Sequence, residues 1–600
     1  MTRFRWSVDT IEKMCGIIGY IGKREAFPFL LNGLAKLEYR GYDSAGVALL
    51  SDELCIQKEI GKLSEIQFEE EEGKIGIAHV RWATHGRVSK ENAHPHFDCK
   101  NEIAIVHNGI IENHRELKAG LVKRGHVFTS DTDSEVVSHL IEEFSAEGCN
   151  FEDAVINALK LLEGSYTLLA IKSGENKIVG ARKGSRSLTL GISEQAIFPA
   201  SDVLAFLEWT NKVVYLKSED VFVADDELGL CIYNLAEDRI VVRPIDTVKC
   251  DAEEVKKGEF DHLMLKEISE QDETILRALQ QNEEIVQGIC DKMRNAAGTF
   301  FIGCGSSYNA CLTGSYLFSK AAKLHVNPVL ASEFENYEHF LTDKTLVFAV
   351  SQSGETADVL DAANAAKRKG SRVVGIVNRD GSILARESDG QLFMNSGPEI
   401  CVLSTKTYTS QVVLMEMLAY ALAGKYEEGL KKIGSLYLDI YKLTSRSMRE
   451  HLEKLAAILY DKRDIYLIGR GAQYATALEA ALKIKEVSYI HAEAFAGGEL
   501  KHGPLALIED GVPCIVFVSN DNKSKILSNA EEIKSRGGYI IGVASEREEI
   551  FDYWIKVPEA EELNPIIQII PMQVLAYQLA VYRGLDPDKP RNLAKSVTVT

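Results

Sequence analysis

Two stretches of this chain, Phe301-Ile-Gly-Cys-Gly-Ser-Ser-Tyr308 and Leu467-Ile-Gly-Arg-Gly-Ala-Gln-Tyr474, are the same strand-to-helix turn written twice. From Gly303 to Ser351, after the apolar run TLVFAV, is 48 residues; from Gly469 to Ser519, after CIVFV, is 50. The next apolar runs place Gly375 and Gly542 a further 24 and 23 residues on. Three landmarks keeping step through two halves require a duplicated unit. Strand–helix alternation within each half predicts a parallel sheet covered by helices on both faces. Tyr308 and Tyr474 stand where a dinucleotide fingerprint has its third glycine, so neither turn is read as a dinucleotide site.

The region ahead of the repeat has a different texture. Short apolar runs such as GIIGYIG, GVALL, IGIAHV and YTLLAIK alternate with turn signals. Amphipathic helices are expected at Ala26 to Glu38 and Ser134 to Phe144. This predicts a strand-rich α+β domain over 15–235, after an extension of residues 1–14. A polar linker is expected over 236–260, then two doubly wound α/β domains over 261–440 and 441–590, and a short tail over 591–600. Six hundred residues exceed what one core organises, which agrees with several domains. Ile566 to Tyr582 is the most apolar stretch. Pro571, Gln568, Gln573 and Gln578 interrupt it, so a buried helix is expected rather than a membrane span. A net charge of -20 argues against nucleic acid or an anionic membrane as the main partner. The 11 cysteines form no CxxC pair, which favours free thiols in a reducing cytoplasm.

Chemistry concentrates first around Met14-Cys-Gly-Ile-Ile-Gly19. A cysteine freed at an N-terminus carries a thiol and, on the same residue, an α-amine of pKa about 8 that serves as general base. Arg81-Trp-Ala-Thr-His-Gly86 offers a guanidinium for a carboxylate. His107-Asn-Gly109 offers the side-chain amide and glycine N–H of an oxyanion hole. Ser130-Asp-Thr-Asp-Ser-Glu135 offers a carboxylate for an ammonium group. Six of the 14 histidines fall between His79 and His114, including His94-Pro-His96. No cysteine or carboxylate has regular ligand spacing around them, so no metal is expected there.

These motifs resemble the N-terminal-nucleophile glutamine amidotransferases. That resemblance implies that Cys15 is the nucleophile and that Asn108 and Gly109 form the oxyanion hole. It places Arg81, Trp82, Thr84, His85 and Asp133 around L-glutamine, with Trp82 as the gate of an ammonia channel. Glu38-Tyr-Arg-Gly-Tyr-Asp-Ser44 also matches the family near the nucleophile. Residues ahead of Cys15 block its amine, so the active form is expected to begin at Cys15.

In the duplicated part, Ser351-Gln-Ser-Gly-Glu-Thr356 precedes a helix start, where hydroxyls and N–H groups make an anion cradle. Val402-Leu-Ser-Thr-Lys-Thr407 and the Gly303–Ser307 turn add to it. In the second half, Glu479, Lys483 and Glu486 form one helical stripe amid apolar and small residues. Charges placed so are costly unless paired or functional. His502 and Lys595 complete the acid–base inventory; the apolar neighbours Leu593, Ala594 and Val597 suggest that Lys595 docks into a pocket. Lys483 is expected to supply a nearby positive charge that favours the neutral amine.

This half resembles the tandem sugar-isomerase (SIS) domains of hexose-phosphate aminotransferases. The two resemblances together span 14–600. They imply transfer of the amide nitrogen of glutamine to D-fructose 6-phosphate with ketose-to-aldose isomerisation. They further imply that Cys304, Gly305, Ser306, Ser307, Ser351, Gln352, Ser353, Thr356, Val402 and Ser404 bind the sugar phosphate. Lys595 would form a Schiff base at C2, His502 would aid ring opening, and Glu486 would move the proton between C1 and C2 with Lys483 and Glu479 assisting. The resemblance implies a cytoplasmic homodimer that needs no cofactor and no metal. A phosphoribosyl-transferring relative is excluded, because VFVADDE is followed by LGLC rather than a Gly-Thr-Thr loop. A binding-only sugar-phosphate sensor leaves Glu486, His502, Lys595 and the amidase motifs unexplained.

Overall fold

The computed structural model describes residues 15–38, 43–51, 53–81, 87–184, 186–227, 229–248 and 257–595. The described residues fall into two compact units that divide within 249–256.

The first unit is built on an eight-stranded and a seven-stranded sheet whose described pairings are antiparallel. Gly16–Gly22 lies between Ala196–Ala200 and Ile75–Arg81 in the larger sheet and is buried throughout. Successive side chains alternate faces. Ile17 and Ile21 therefore enter the core shared with Val106 and Leu169 of the other sheet, while Ile18 and Tyr20 pack with Leu30 and Leu34 of the helix Phe27–Leu37. Helices Glu135–Ala146 and Phe151–Leu161 cover the smaller sheet from its other face. The strand-rich α+β expectation holds. The linker expectation needs correction: Arg239–Ile240 and Asp246–Thr247, inside 236–260, pair as edge strands of the two sheets.

The second unit contains the duplication. Each half has a five-stranded parallel sheet, with Gly298–Gly303 beside Thr345–Ser351 in one and Asp464–Gly469 beside Pro513–Phe517 in the other. Numbered within each half, the strand order is 2-1-3-4-5 in both. The chain reverses direction between strands 1 and 3, the crevice where open α/β sheets bind ligands. Gly305 and Gly471 begin the following helices at φ 53°, ψ -125° and φ 59°, ψ -131°. Side-chain-bearing residues resist that conformation, which explains why both turns keep the glycine.

The apolar helix Asn564–Tyr582 is long enough to cross a membrane by length and composition, yet it lies mostly buried against Ala472–Ser488 and Arg446–Leu459. Two of its interrupting glutamines have structural partners. Gln568 donates to the Val518 carbonyl at 2.7 Å, and Gln573 donates to that of Thr405 at 3.2 Å.

Candidate functional sites

In the first unit, Cys15 stands at the start of the central strand, and Ile17 N–H donates to Ser201 Oγ at 3.0 Å, pinning that strand. Asn108 Nδ2 donates to the Cys15 carbonyl at 3.0 Å. The amide is oriented from behind by His79, whose Nε2 lies 3.0 Å from Asn108 Oδ1 and 3.1 Å from the His107 carbonyl. Both neighbours are acceptors, so Nε2 carries the hydrogen and the Asn108 N–H groups must face Cys15. Burial, reinforced by the charge of Arg81, lowers the His79 pKa to about 3, so the ring is a neutral donor. Sequence reasoning assigned His79 no role; it was one histidine among six in that stretch.

Gly109 follows at φ 132°, and a Cβ there would sit 2.3 Å from the Ser165 carbonyl oxygen. No other residue fits.

Arg81 is buried, which lowers its guanidinium pKa; Cys15, Asp43 and Asp133 oppose the shift. Asp133 is buried as well, its Oδ2 accepting from the Ile111 N–H at 2.8 Å. Cationic and anionic groups thus flank the nucleophile's surroundings, as the two ends of an amino acid require. Trp82, Thr84, His85 and residues 39–42 of the Glu38–Ser44 motif lie outside the described residues.

In the second unit, the Ser306 hydroxyl of the first half meets two charged groups of the second. Ser306 Oγ donates to Glu479 Oε1 at 2.8 Å and accepts from Lys483 Nζ at 2.9 Å. Asn309 donates to Glu479 Oε2 at 2.8 Å. Lys483, fully buried, pairs with Glu479 at 3.3 Å and Glu486 at 2.7 Å. Burial works against its charge, but the two carboxylates outweigh burial and raise the Lys483 pKa, so it remains an ammonium ion. Glu479 is raised by burial, with Lys483 opposing. Glu486 is the partly exposed member, 19% accessible, and is therefore the one a substrate can reach.

The Ser306 hydroxyl, expected at the sugar phosphate, is held by this ion-pair cluster. Ser307 instead accepts from Gln411 Nε2 at 3.1 Å. Ser351 Oγ lies 2.9 Å from Thr356 Oγ1 and accepts from the Gly354 N–H at 3.0 Å. Thr356 precedes the helix Ala357–Arg368, whose N-terminus has no side-chain cap, leaving its orphan N–H groups for a ligand. Cys304, Gly305, Gln352 and Ser353 lie at the ends of the same two strands.

Lys595 docks rather than trailing: its ammonium contacts the Glu399 carboxylate and donates to the Leu403 carbonyl at 2.9 Å. The neighbour is an anion, not the second cation expected from Lys483, which is occupied by Glu479 and Glu486. Burial alone would raise Glu399; the Lys595 charge, with donors from Thr405 and Thr407, holds it below the usual carboxylate range. Glu399 was missed from sequence because it precedes the Val402–Thr407 cluster without any motif of its own. Ser404 bonds Thr407 at 2.7 Å, and Val402 N–H donates to the Asp588 carbonyl at 3.3 Å. His502 is exposed in the turn Gly497–His502. Among the described residues, no hydrogen bond or ion pair joins it to the Glu479–Lys483–Glu486 cluster.

The fold and these sites define a glutamine amidotransferase joined to a sugar-phosphate isomerase body. Residues 79–208 match the glutamine amidotransferase domain family, and 292–421 and 458–583 each match the SIS domain family. A Thermococcus kodakarensis protein named glutamine–fructose-6-phosphate aminotransferase (isomerizing) is 46% identical over 98% of this chain and all of its own length. A Pyrococcus horikoshii protein of the same name is 44% identical over the same shares. Among solved structures, the C-terminal domain of the Francisella tularensis glucosamine-fructose-6-phosphate aminotransferase superposes with a TM-score of 0.52. It is 33% identical and covers 56% of this chain and all of its own. The chain belongs to the family of isomerizing glutamine–fructose-6-phosphate aminotransferases.

Proposed function

We propose that this chain forms D-glucosamine 6-phosphate and L-glutamate from D-fructose 6-phosphate and L-glutamine, with the residues above in the following roles. Arg81 holds the α-carboxylate of glutamine and Asp133 its ammonium group. The Cys15 thiol, deprotonated by its own freed α-amine, attacks the side-chain amide carbon. Asn108 Nδ2 and the Gly109 N–H stabilise the oxyanion, ammonia departs, and water releases glutamate from the thioester. His79 acts through Asn108 by fixing which end of the amide faces the nucleophile.

Ser351, Gln352, Ser353, Thr356 and Ser307 hold the sugar phosphate at the switch point of the first sheet. Lys595 condenses with C2 of the opened ketose. Its ammonium must first lose a proton, and Glu399, already in contact, is the acceptor. Ammonia then displaces the lysine at C2. Glu486 moves a proton from C1 to C2, while cationic Lys483 holds Glu486 in place and Glu479 anchors Lys483. His502 is assigned to ring opening on the family resemblance alone. None of the ten described cysteines forms a disulfide, which supports the cytoplasm as its place of work. The resemblance supports a homodimer.

The observation that carries this reading is the Ser306 hydroxyl shared by Glu479 and Lys483. It brings the helix of acid–base groups from the second half onto the cradle of the first. The test separates the two chemistries: Cys15→Ala abolishes glutamine hydrolysis and retains conversion of fructose 6-phosphate to glucose 6-phosphate. Equal loss of both activities would refute the assignment.

A further inference from the structure

Apart from the amidase site, the first unit holds a second cluster with ligand chemistry. Cys99 lies in the turn between strands His96–Phe97 and Ile103–Gly109, and His126 follows the helix His114–Lys123. His139 and Glu142 project from one face of the helix Glu135–Ala146. One ligand atom from each lies within 4.8 Å of all the others. Cys99 Sγ is 3.7 Å from His126 Nδ1 and 3.5 Å from His139 Nδ1. Glu142 Oε2 is 3.0 Å from His126 Nδ1 and 3.4 Å from His139 Nδ1. Zinc with bonds of about 2.3 Å to sulfur and 2.0–2.1 Å to nitrogen or oxygen has tetrahedral edges of roughly 3.3–3.6 Å. The observed separations cluster around those edges.

Hydrogen bonding alone accounts poorly for the cluster. Glu142 Oε2 already accepts from the Cys99 N–H at 3.1 Å, so one oxygen would collect three nitrogen donors. His139 supplies a sharper argument. Its buried Nε2 faces Glu135 Oε1 at 3.7 Å. If Nδ1 carried the hydrogen of a neutral ring, the bare Nε2 lone pair would point at a carboxylate. With Nδ1 on a metal, Nε2 carries the hydrogen and directs it to Glu135, the carboxylate–histidine–metal arrangement of bound zinc. The Val127 N–H points at Cys99 Sγ at 3.4 Å, as suits a coordinated thiolate.

We propose that Cys99, His126, His139 and Glu142 bind one zinc ion as a closed structural site. The ion fastens the turn at Cys99 and the connection at His126 to the helix bearing His139 and Glu142. Through His139 it also orders Glu135, which accepts from the backbone and hydroxyl groups of Thr129 and Ser130 at 2.7–2.8 Å. Those residues begin the loop that carries Asp133. This is a metal the amination chemistry does not require, and its ligands differ from the histidines of 79–114 considered from sequence.

The full chain, stripped with chelator and re-equilibrated with zinc, is expected to retain one ion per chain by elemental analysis after gel filtration. Cys99→Ser and His126→Ala are expected to retain none, and Cys231→Ser, altering an exposed thiol, to retain one. Cobalt in place of zinc gives a thiolate-to-metal absorption band that is lost in Cys99→Ser and kept in Cys231→Ser. Added zinc raises the melting temperature of the unaltered chain, which distinguishes lost binding from failed folding in a variant. Failure of the unaltered chain to take up zinc overturns the proposal. Equal retention by Cys99→Ser overturns it too, since Cys15 or another thiol would then be the ligand.

Discussion

The two halves of the repeat share a strand order and a glycine turn, yet their loops after the third-strand equivalent are furnished oppositely. In the first half, Ser351 and Thr356 bond one another and the loop backbone. The loop's carboxylate, Glu355, turns to the Ile383 N–H at 2.9 Å. In the second half, Ser519 donates to Asp521 at 2.5 Å, and Asp521 pairs with Lys320 at 2.8 Å. Arg470, in the turn corresponding to Cys304, is taken up by Asn529 at 2.8 Å. A phosphate would meet hydroxyls and helix N–H groups in one crevice and a carboxylate in the other. The duplicated crevice therefore has one copy suited to binding. The second copy contributes its helix Ala472–Ser488, whose Glu479 and Lys483 bond Ser306 at the first copy's glycine turn. Duplication supplied two scaffolds, and the division of labour lies in side chains that the shared backbone does not determine.

The comparison breaks most sharply at Glu486. Glu486→Gln keeps shape and removes the base, so it is expected to lower kcat for amino-sugar formation and for isomerisation by about 10²–10⁴. KM for fructose 6-phosphate should hardly change. A large rise in KM with kcat preserved would make the second half a binding element and undo the division.

A smaller effect is expected in the first half. Ser351→Ala removes a hydrogen bond to a charged group, a loss of about 1.5–3 kcal/mol, or roughly tenfold to a hundredfold in KM for fructose 6-phosphate. The matched change Ser519→Ala should leave KM as it was. Equal effects of the two changes in steady-state kinetics would show that both crevices take the sugar phosphate.

What the sequence disclosed follows the same line. The repeat, its parallel sheets and both glycine turns were legible because strand spacing and positive-φ glycines are local requirements. The stripe Glu479, Lys483 and Glu486 was legible from helical period and apolar surroundings. Partners distant along the chain were not. Glu399 meets Lys595 across 196 positions, and Ser306 meets Lys483 across 177. Nothing local in either member announces the pairing, and the expected Lys483–Lys595 proximity failed for that reason. The cluster at Cys99, His126, His139 and Glu142 escaped because three separate segments supply it, with only one helical i, i+3 pair to see. The strands Arg239–Ile240 and Asp246–Thr247 read as linker in the sequence because two-residue edge strands carry almost no periodicity.

The smallest expected effect contrasts two buried carboxyls, one on a core helix from each half. Glu479 in the second is fully buried but has Lys483 at 3.3 Å and donors from Ser306 and Asn309. Glu416, in the helix Lys406–Leu422, is equally buried, and neither carboxyl oxygen has a hydrogen-bond partner among the described residues. Burial, reinforced by the charge of Glu562, pushes its pKa up to about 8, with Lys432 and Lys320 opposing. A raised carboxyl keeps its proton in the folded chain where the unfolded chain has lost it. Its contribution to stability is therefore complete below the ordinary carboxyl range and declines as pH rises through about 8. Across that window the decline approaches about 1.4 kcal/mol per pH unit, the linkage slope for one proton. Glu416→Gln carries no titrating proton, so its melting temperature should fall less than that of the unaltered chain between about pH 5 and pH 8, the window between the ordinary and the raised pKa. Parallel melting curves for the two proteins would mean that Glu416 is ionised in the folded state, with a partner that offsets its burial as Lys483 does for Glu479.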